Sequence, residues 1–217
     1  MQTRLSKIRD MAGNRLVSLY AGARDILLPP QCQVTGERVA CHGELSPGAW
    51  QNISFIAAPY CKMCGLPFEF AASPDLLCAA CAAPESFEHG LMSEKGLDKV
   101  RASMRYDDVS AELVMSLKYA DRHDLAGGFA TLMLTAARDM PIRDMVIVPV
   151  PLHPGRLRQR KFNQAALLAR SLAEKAGSGL AIDLLERHRA TPQQQGLSAK
   201  ARRFTSLRGC SCTGCER

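Results

Sequence analysis

The sequence predicts an α/β protein in which a small cysteine-rich domain precedes a domain built on a parallel sheet. Three observations predict this class: two matched Cys-x-x-C pairs lie within residues 61–81, helix-period segments follow from about residue 87, and the all-apolar run MVIVPV occupies residues 145–150. Helices that alternate with wholly apolar strands indicate a parallel sheet covered on both faces. The 217 residues suffice for one full domain and a small annex.

The N-terminal third divides into two parts. Residues 4–27 have the apolar periodicity of a helix, which Pro29 and Pro30 end. The next stretch is rich in Cys, Gly and Pro, which is typical of a metal-stabilised domain too small to hold a core alone. We therefore expect an N-terminal helix at 1–28, a cysteine-rich domain at 29–86 and a sheet domain at 87–217.

The sheet domain contains three helix-period segments and two strand candidates. The segments VSAELVMSLKYA, LAGGFATLMLTAAR and FNQAALLARSLAEKAG predict helices, and Gly177 closes the last of them. The run MVIVPV predicts a fully buried strand, and LAIDLLER predicts another strand.

Nine cysteines without an export signal point to metal or thiol chemistry more than to disulfides. Cys61, Cys64, Cys78 and Cys81 form two knuckles with 13 residues between them. Two such knuckles supply the tetrahedral sulfur cage that Zn(II) favours, and with all four positions taken by thiolates the zinc is structural. The alternatives are four unrelated buried thiols or a redox Cys-x-x-C, which needs one pair and not two.

An incomplete version of the same device lies upstream. Cys32 and Cys41 stand where knuckles would begin, but the positions three residues on hold Thr35 and Glu44. A metal site from Cys32, Cys41, Glu44 and His42 is conceivable. The mixture of hard and soft ligands at irregular spacing favours a metal-free remnant.

The formal charge of +7 is unevenly distributed. From Met145 onward there are 13 Lys and Arg against 4 Asp and Glu, a net charge of +9, whereas the preceding residues carry −2. Such a field attracts phosphates, nucleotides or nucleic acid, although a solvated basic face is the alternative. No apolar run is long enough for membrane insertion and no secretory signal is recognisable, so we expect a cytoplasmic protein.

Several cationic side chains follow the MVIVPV strand. Arg156, Arg158 and Arg160 come where the chain leaves the sheet, and ligands of α/β sheets bind beyond the carboxyl ends of strands. The guanidinium fork suits bidentate phosphate contact. Asn163 and Gln164 open the next helix, where their amides could cap it or bind a hydroxyl-rich ligand. We expect a phosphate-binding loop here, with a solvated charge run as the alternative.

These motifs together resemble the ComF (competence protein F) family. The matching segments are VPVPLHPGRLRQRKFNQAALLA, LLPPQC, YCKMCGLPF, SLKYADRHDLA and TPQQQGLSAKAR. The resemblance implies a double zinc ribbon followed by a type I phosphoribosyltransferase-like domain, in which residues 149–164 face pyrophosphate. It also implies a mobile flap over the site that carries Thr191, Gln194 and Arg202, and a role in DNA uptake during competence.

The chain departs from the family pattern in three places. Thr35 and Glu44 interrupt the first ribbon, and Lys161 replaces the usual Gly before FNQ. The acidic pair and the Thr-Thr-Gly turn that hold phosphoribosyl pyrophosphate and Mg(II) in the family do not occur in these residues. We therefore expect a truncated, incomplete phosphoribosyltransferase-like domain without turnover, and no metal knuckle or strand in the tail CSCTGC.

Two functions remain open from the sequence. In the first, the basic cradle binds a phosphorylated ribose or a nucleotide without transferring it. In the second, the ribbon and the basic last third contact single-stranded DNA or the competence machinery. Single strands are held by stacking on aromatic rings, and only Phe162 and Phe204 follow Met145, which weakens the second function.

Overall fold

The structure, a computed structural model, describes residues 25–83, 97–119, 122–191, 196, 198 and 210–212. Residues 25–27 are helical, and the rest of the predicted N-terminal helix lies outside this range. The helices are α1 (Pro47–Asn52), α2 (Ala79–Ala82), α3 (Asp108–Tyr119), α4 (Leu125–Ala136), α5 (Pro154–Arg160) and α6 (Gln164–Ala176). The strands are β1 (Val146–Ile147), β2 (Gly179–Leu180), β3 (Leu185–Arg187) and β4 (Cys210–Cys212), and a 3-10 turn spans Ile142–Asp144.

The cysteine-rich part consists of two hairpin-and-helix units followed by an extended segment that hydrogen-bonds to both. Val100 N donates to Met63 O at 2.8 Å, which attaches this segment to the second unit. Phe55 pairs with Met104 in an antiparallel bridge next to the first unit. The extended segment thus fastens the two units together before the chain enters α3.

The three helices predicted for the sheet domain are confirmed. Local hydrogen bonds explain where α3 and α6 begin: Asp107 and Ser110 exchange reciprocal capping bonds of 2.8 Å before α3, and Asn163 Oδ1 accepts from Ala165 N at 3.0 Å before α6. α6 ends at Gly177, whose φ of 67° suits a left-handed cap. α4 packs against α6, and α6 covers the parallel strands β1 and β2.

The described strands are shorter than predicted and belong to two sheets. β1 pairs with β2 in parallel, which agrees with an α/β protein. The predicted strand over 180–187 divides, because its first part pairs with β1 and its second part, β3, pairs antiparallel with β4. The tail prediction was wrong here, since residues 210–212 of CSCTGC form a strand that only its distant partner β3 could reveal.

The basic stretch after β1 is a helix, and our prediction of a loop was wrong. His153 is the N-cap, with Nδ1 accepting from Gly155 N at 3.2 Å, and Pro154 stands at the first helical turn, where its missing N–H costs nothing. β1 itself ends at Ile147, before the prolines that prevent further ladder pairing.

The first hairpin unit lies directly on α4. A Cβ at Gly43, whose φ is 85°, would lie 2.2 Å from the carbonyl oxygen of Asp124, so only glycine allows this approach. Within the described residues, no helix combines the length and the apolar character that crossing a membrane requires.

Candidate functional site

Four cysteine sulfurs of the second unit converge on one point. Cys61, Cys64, Cys78 and Cys81 place their Sγ atoms within 4.8 Å of one another, and Cys61, Cys78 and Cys81 are buried. The sulfurs of Cys64 and Cys78 are 3.6 Å apart. A tetrahedral Zn(II) with bonds of about 2.3 Å sets neighbouring sulfurs about 3.8 Å apart, so the cluster fits zinc.

Two local structures position these thiols toward one point. The first knuckle is a tight turn in which Cys61 N donates to Leu66 O at 2.8 Å and Gly65 adopts a φ of 72°. The second knuckle begins α2, with Cys78 as its N-cap and Cys81 one turn on. Few apolar side chains accompany the cluster, so zinc would supply much of the stability of this unit.

Backbone amides stabilise a negative charge on the Cys61 sulfur. Burial raises the pKa of Cys61, but amide hydrogen bonds from Cys78, Cys64 and Met63 outweigh this and lower the pKa to about 6. Burial raises the pKa of Cys64 and of Cys81. A bound cation would favour the thiolate form of the cluster.

The first unit repeats the same fold with different side chains. Cys32 N donates to Glu37 O at 2.7 Å, Gly36 N donates to Cys32 O at 2.9 Å, and Gly36 has a φ of 71°, as in the turn that begins at Cys61. Ser46 is the N-cap of α1 with φ −68° and ψ 159°, matching Cys78 before α2 with φ −71° and ψ 161°. The four ligand positions here are occupied by Cys32, Thr35, Ser46 and Ala49.

This second set of residues does not fit zinc. A hydrogen bond of 2.8 Å joins Thr35 Oγ1 to Ser46 Oγ where the other unit has two sulfurs, and Ala49 offers no ligand atom. Ser46 Oγ also accepts from Ala49 N at 3.2 Å. Hydroxyl hydrogen bonds therefore stabilise the first unit.

The sequence placed the second half of this unit wrongly. Cys41 is exposed, its N–H donates to Glu44 Oε2 at 3.0 Å, and His42 Nε2 lies 3.0 Å from Asp25 Oδ1. Among the described residues, these side chains and Cys32 form no group close enough to share an ion. The second half of the first unit begins at Ser46, the N-cap of α1, and not at Cys41.

The predicted phosphate-binding residues occupy three kinds of position. Arg156 donates from Nη2 to Thr191 O at 2.9 Å, and Arg158 is exposed on α5. Arg160 Nη1 lies 3.4 Å from Gln164 Oε1. Gln194 and Arg202 lie outside the described residues.

Asn163 and Gln164 serve the fold. Besides capping α6, Asn163 donates from Nδ2 to Val150 O at 3.1 Å. Gln164 is buried and donates from Nε2 to Lys118 O at 3.3 Å, which ties α6 to the end of α3. Their side-chain amides are thus engaged with backbone groups.

A second cation reaches the same point as Arg156. Arg187 on β3 donates from Nη2 to Thr191 Oγ1 at 2.7 Å. Thr191 therefore joins α5 to β3, and the cations of both segments meet beside it. The sequence did not single out Arg187, because only the tertiary structure brings it to α5.

Two cavities lie elsewhere in the molecule. One of about 520 Å³ lies between the turn at residues 41–45 and α4, and one of about 360 Å³ lies between the cysteine-rich part, including Trp50 and Phe55, and residues 131–138. Neither is lined by Arg156, Arg158 or Arg160.

An aromatic pair in the cysteine-rich part was not predicted from the sequence. Trp50 and Phe55 stack there with ring centroids 5.2 Å apart, far from the rings that follow Met145 in the sequence. A signal was available, since Trp50 is the one tryptophan of the chain and stands in a short polar helix.

Comparison with known proteins agrees with the cysteine-rich part and with the predicted resemblance. Residues 23–89 match the family model of the double zinc ribbon domain. The chain is 32% identical over 149 residues to DNA utilization protein YhgH of Salmonella typhi, and 29% identical over 150 residues to competence protein F of Haemophilus influenzae.

These alignments cover 66% and 67% of this chain, and 60% of each relative. No solved structure matches this chain. The resemblance drawn from the motifs is confirmed as a similarity: the chain is similar to competence protein F and to DNA utilization protein YhgH, and residues 23–89 match the double zinc ribbon domain.

Proposed function

We propose that the protein binds the phosphate groups of single-stranded DNA during DNA uptake or utilization. The relatives' names supply the biological process. The observation that carries the proposal is the contact of Arg156 and Arg187 with Thr191 from two separate segments. This contact joins α5 and β3 into one basic surface in the part of the chain that carries a net charge of +9.

The exposed cations of this surface are the phosphate ligands. Arg156 and Arg187 are partly committed to Thr191, whereas Arg158, Lys161 and Arg189 are exposed to solvent. We call these three residues the phosphate ligands. Arginine binds phosphate oxygens with two parallel N–H bonds, and lysine adds a point charge.

A second candidate function is the binding of phosphorylated ribose or a nucleotide. The supporting observation is that β1 is parallel to β2 and leads at its carboxyl end into the arginine-bearing helix α5. Ligands of open α/β sheets bind at such an edge. Turnover forms no part of this proposal.

One experiment separates the two candidates. Binding of a labelled oligothymidine is measured by anisotropy over a salt series, and binding of phosphoribosyl pyrophosphate is measured by calorimetry, both with the zinc-loaded chain. For the first function, log K falls linearly with log salt, and Arg158→Ala with Lys161→Ala reduces that slope by about 0.7 for each lost phosphate contact.

The matched control is Arg143→Ala, which removes an exposed arginine in the 3-10 turn and leaves the slope unchanged. Saturable binding of the sugar phosphate without oligonucleotide binding would support the second function instead. If neither ligand binds, both are rejected.

A further inference from the structure

Two exposed aromatic rings form a flat surface on the double ribbon. Trp50 and Phe55 stack with an interplanar angle of 27°, yet they remain 44% and 37% exposed. The bridge between Phe55 and Met104 holds one ring in place, and α1 carries the other.

An exposed arginine lies beside this ring pair. The cavity of about 360 Å³ is lined by both rings and by Arg138, whose side chain is exposed. We call Trp50, Phe55 and Arg138 the stacking surface.

This combination matches the chemistry of unpaired bases. Bases of a single strand stack on aromatic side chains, and nearby arginines attract the backbone and the ring faces. The second aromatic pair of the ribbons, Phe68 and Phe70, has nearly the same geometry, with centroids 5.3 Å apart. Its chain neighbour is Glu69, which would repel a strand.

We propose that the stacking surface binds the bases of single-stranded DNA. The proposal rests on the proposed function and adds to it a second contact region, since the phosphate ligands lie on α5, after α5 and after β3. Base contact at the ribbon removes the objection that few rings follow Met145. Every base has a ring face, so stacking on these rings tolerates any sequence.

The lone tryptophan makes a direct test possible. Because Trp50 is the one tryptophan of the chain, fluorescence excited at a wavelength that tyrosine does not absorb reports on this surface. The zinc-loaded full chain is titrated with an oligothymidine of about 20 nucleotides and with an abasic strand carrying the same number of phosphates. We expect the oligothymidine to quench Trp50 and to bind about ten-fold more tightly, whereas the abasic strand leaves the fluorescence unchanged.

Two variants distinguish the loss of an aromatic ring from a loss of folding. Phe55→Leu removes the ring but keeps an apolar contact for Met104, and we expect it to weaken oligothymidine binding five-fold or more, on the order of one lost stacking contact. Its affinity for the abasic strand stays unchanged. Phe70→Leu is the matched control and changes neither affinity. Zinc content and circular dichroism confirm that each variant is folded.

Each other outcome overturns the proposal in a recognisable way. Equal affinity for both strands with no change in Trp50 fluorescence rejects the stacking surface but leaves phosphate binding intact. No binding of either strand rejects the proposed function and this inference together. A concentration-dependent dimer that Phe55→Leu abolishes would identify the surface as a contact between copies of the chain.

Discussion

At the scale of single residues, Lys161 has the least favourable backbone conformation among the non-glycine residues that the structure describes. It ends α5 with φ 63° and ψ −24°, in the left-handed region that side chains with a Cβ rarely adopt. The resemblance to the ComF family had marked this position, since a glycine is usual there. The tight turn into α6 is thus made without the residue best suited to it.

We expect Lys161→Gly to raise the free energy of unfolding by about 0.5–1 kcal/mol. A left-handed L-residue costs about 1–2 kcal/mol, and the greater freedom of glycine in the unfolded chain cancels part of the gain. Urea unfolding of the zinc-loaded chain measures the difference. Lys161→Ala is the control, because it removes the charge and keeps the Cβ; an equal gain from this variant would attribute the effect to charge.

At the scale of structural elements, the two ribbon units are one fold stabilised in two ways. The second unit closes around four thiols, and the first closes around the hydrogen bond between Thr35 and Ser46. A hydroxyl pair contributes about 1 kcal/mol, whereas a structural zinc contributes far more. The first unit therefore depends more on its contact with α4, where Gly43 allows the close approach.

We predict one bound zinc ion per chain, although a double zinc ribbon domain would ordinarily hold two. Metal analysis by mass spectrometry should find one equivalent, lost in Cys64→Ser and retained in Cys32→Ser. The triple variant Thr35→Cys, Ser46→Cys, Ala49→Cys completes the missing ligand set and should bind a second equivalent. Two equivalents in the unmodified chain, or loss of zinc from Cys32→Ser, would contradict this assignment.

At the scale of the whole molecule, one buried arginine connects the second ribbon to the sheet domain. Arg101 donates to Lys62 O at 2.8 Å and to Met63 O at 3.2 Å, and its guanidinium also contacts the Asp139 carboxylate beyond α4. Lys99 donates to the same carboxylate at 3.0 Å. Hydrogen bonds from Arg101 and Lys99 lower the pKa of Asp139 to about 2.

We predict that Asp139→Asn lowers the free energy of unfolding by about 1–2 kcal/mol at neutral pH, after allowance for the partial exposure of the carboxylate. An unfolded Asp has a pKa of about 3.9, above the folded value, so this stabilisation is complete above that value and is lost as the pH falls toward about 2. The difference from the unmodified chain should be constant between about pH 8 and pH 5 and shrink below about pH 4.

Urea unfolding at each pH, with zinc present, measures this difference, and zinc release cancels because both proteins carry the same cluster. Asp75→Asn, which breaks the exposed pair between Lys62 and Asp75, is the control and should cost less. A difference that already declines between about pH 8 and pH 5 would show that another group is titrating.

The sequence by itself determined the features that depend on close spacing. The spacing of four cysteines predicted the metal site, because each knuckle is a turn closed by local hydrogen bonds; the cysteines are Cys61, Cys64, Cys78 and Cys81. Apolar periodicity predicted the helices α3, α4 and α6. The net positive charge of the last third of the chain was also evident from the sequence, without knowledge of the fold. Each of these depends on residues a few positions apart.

Only the tertiary structure decided the features that join distant segments. The pairing of β3 with β4, the contact of Arg156 with Thr191, and the completion of the first ribbon by Ser46 each depend on residues that lie between 11 and 35 positions apart. Pairing at such separations is set by which surfaces pack together, because loop length constrains it only weakly. The stack of Trp50 on Phe55 joins residues only a few positions apart, yet it too needed the tertiary structure, since the pattern of a short helix does not show what its rings will face.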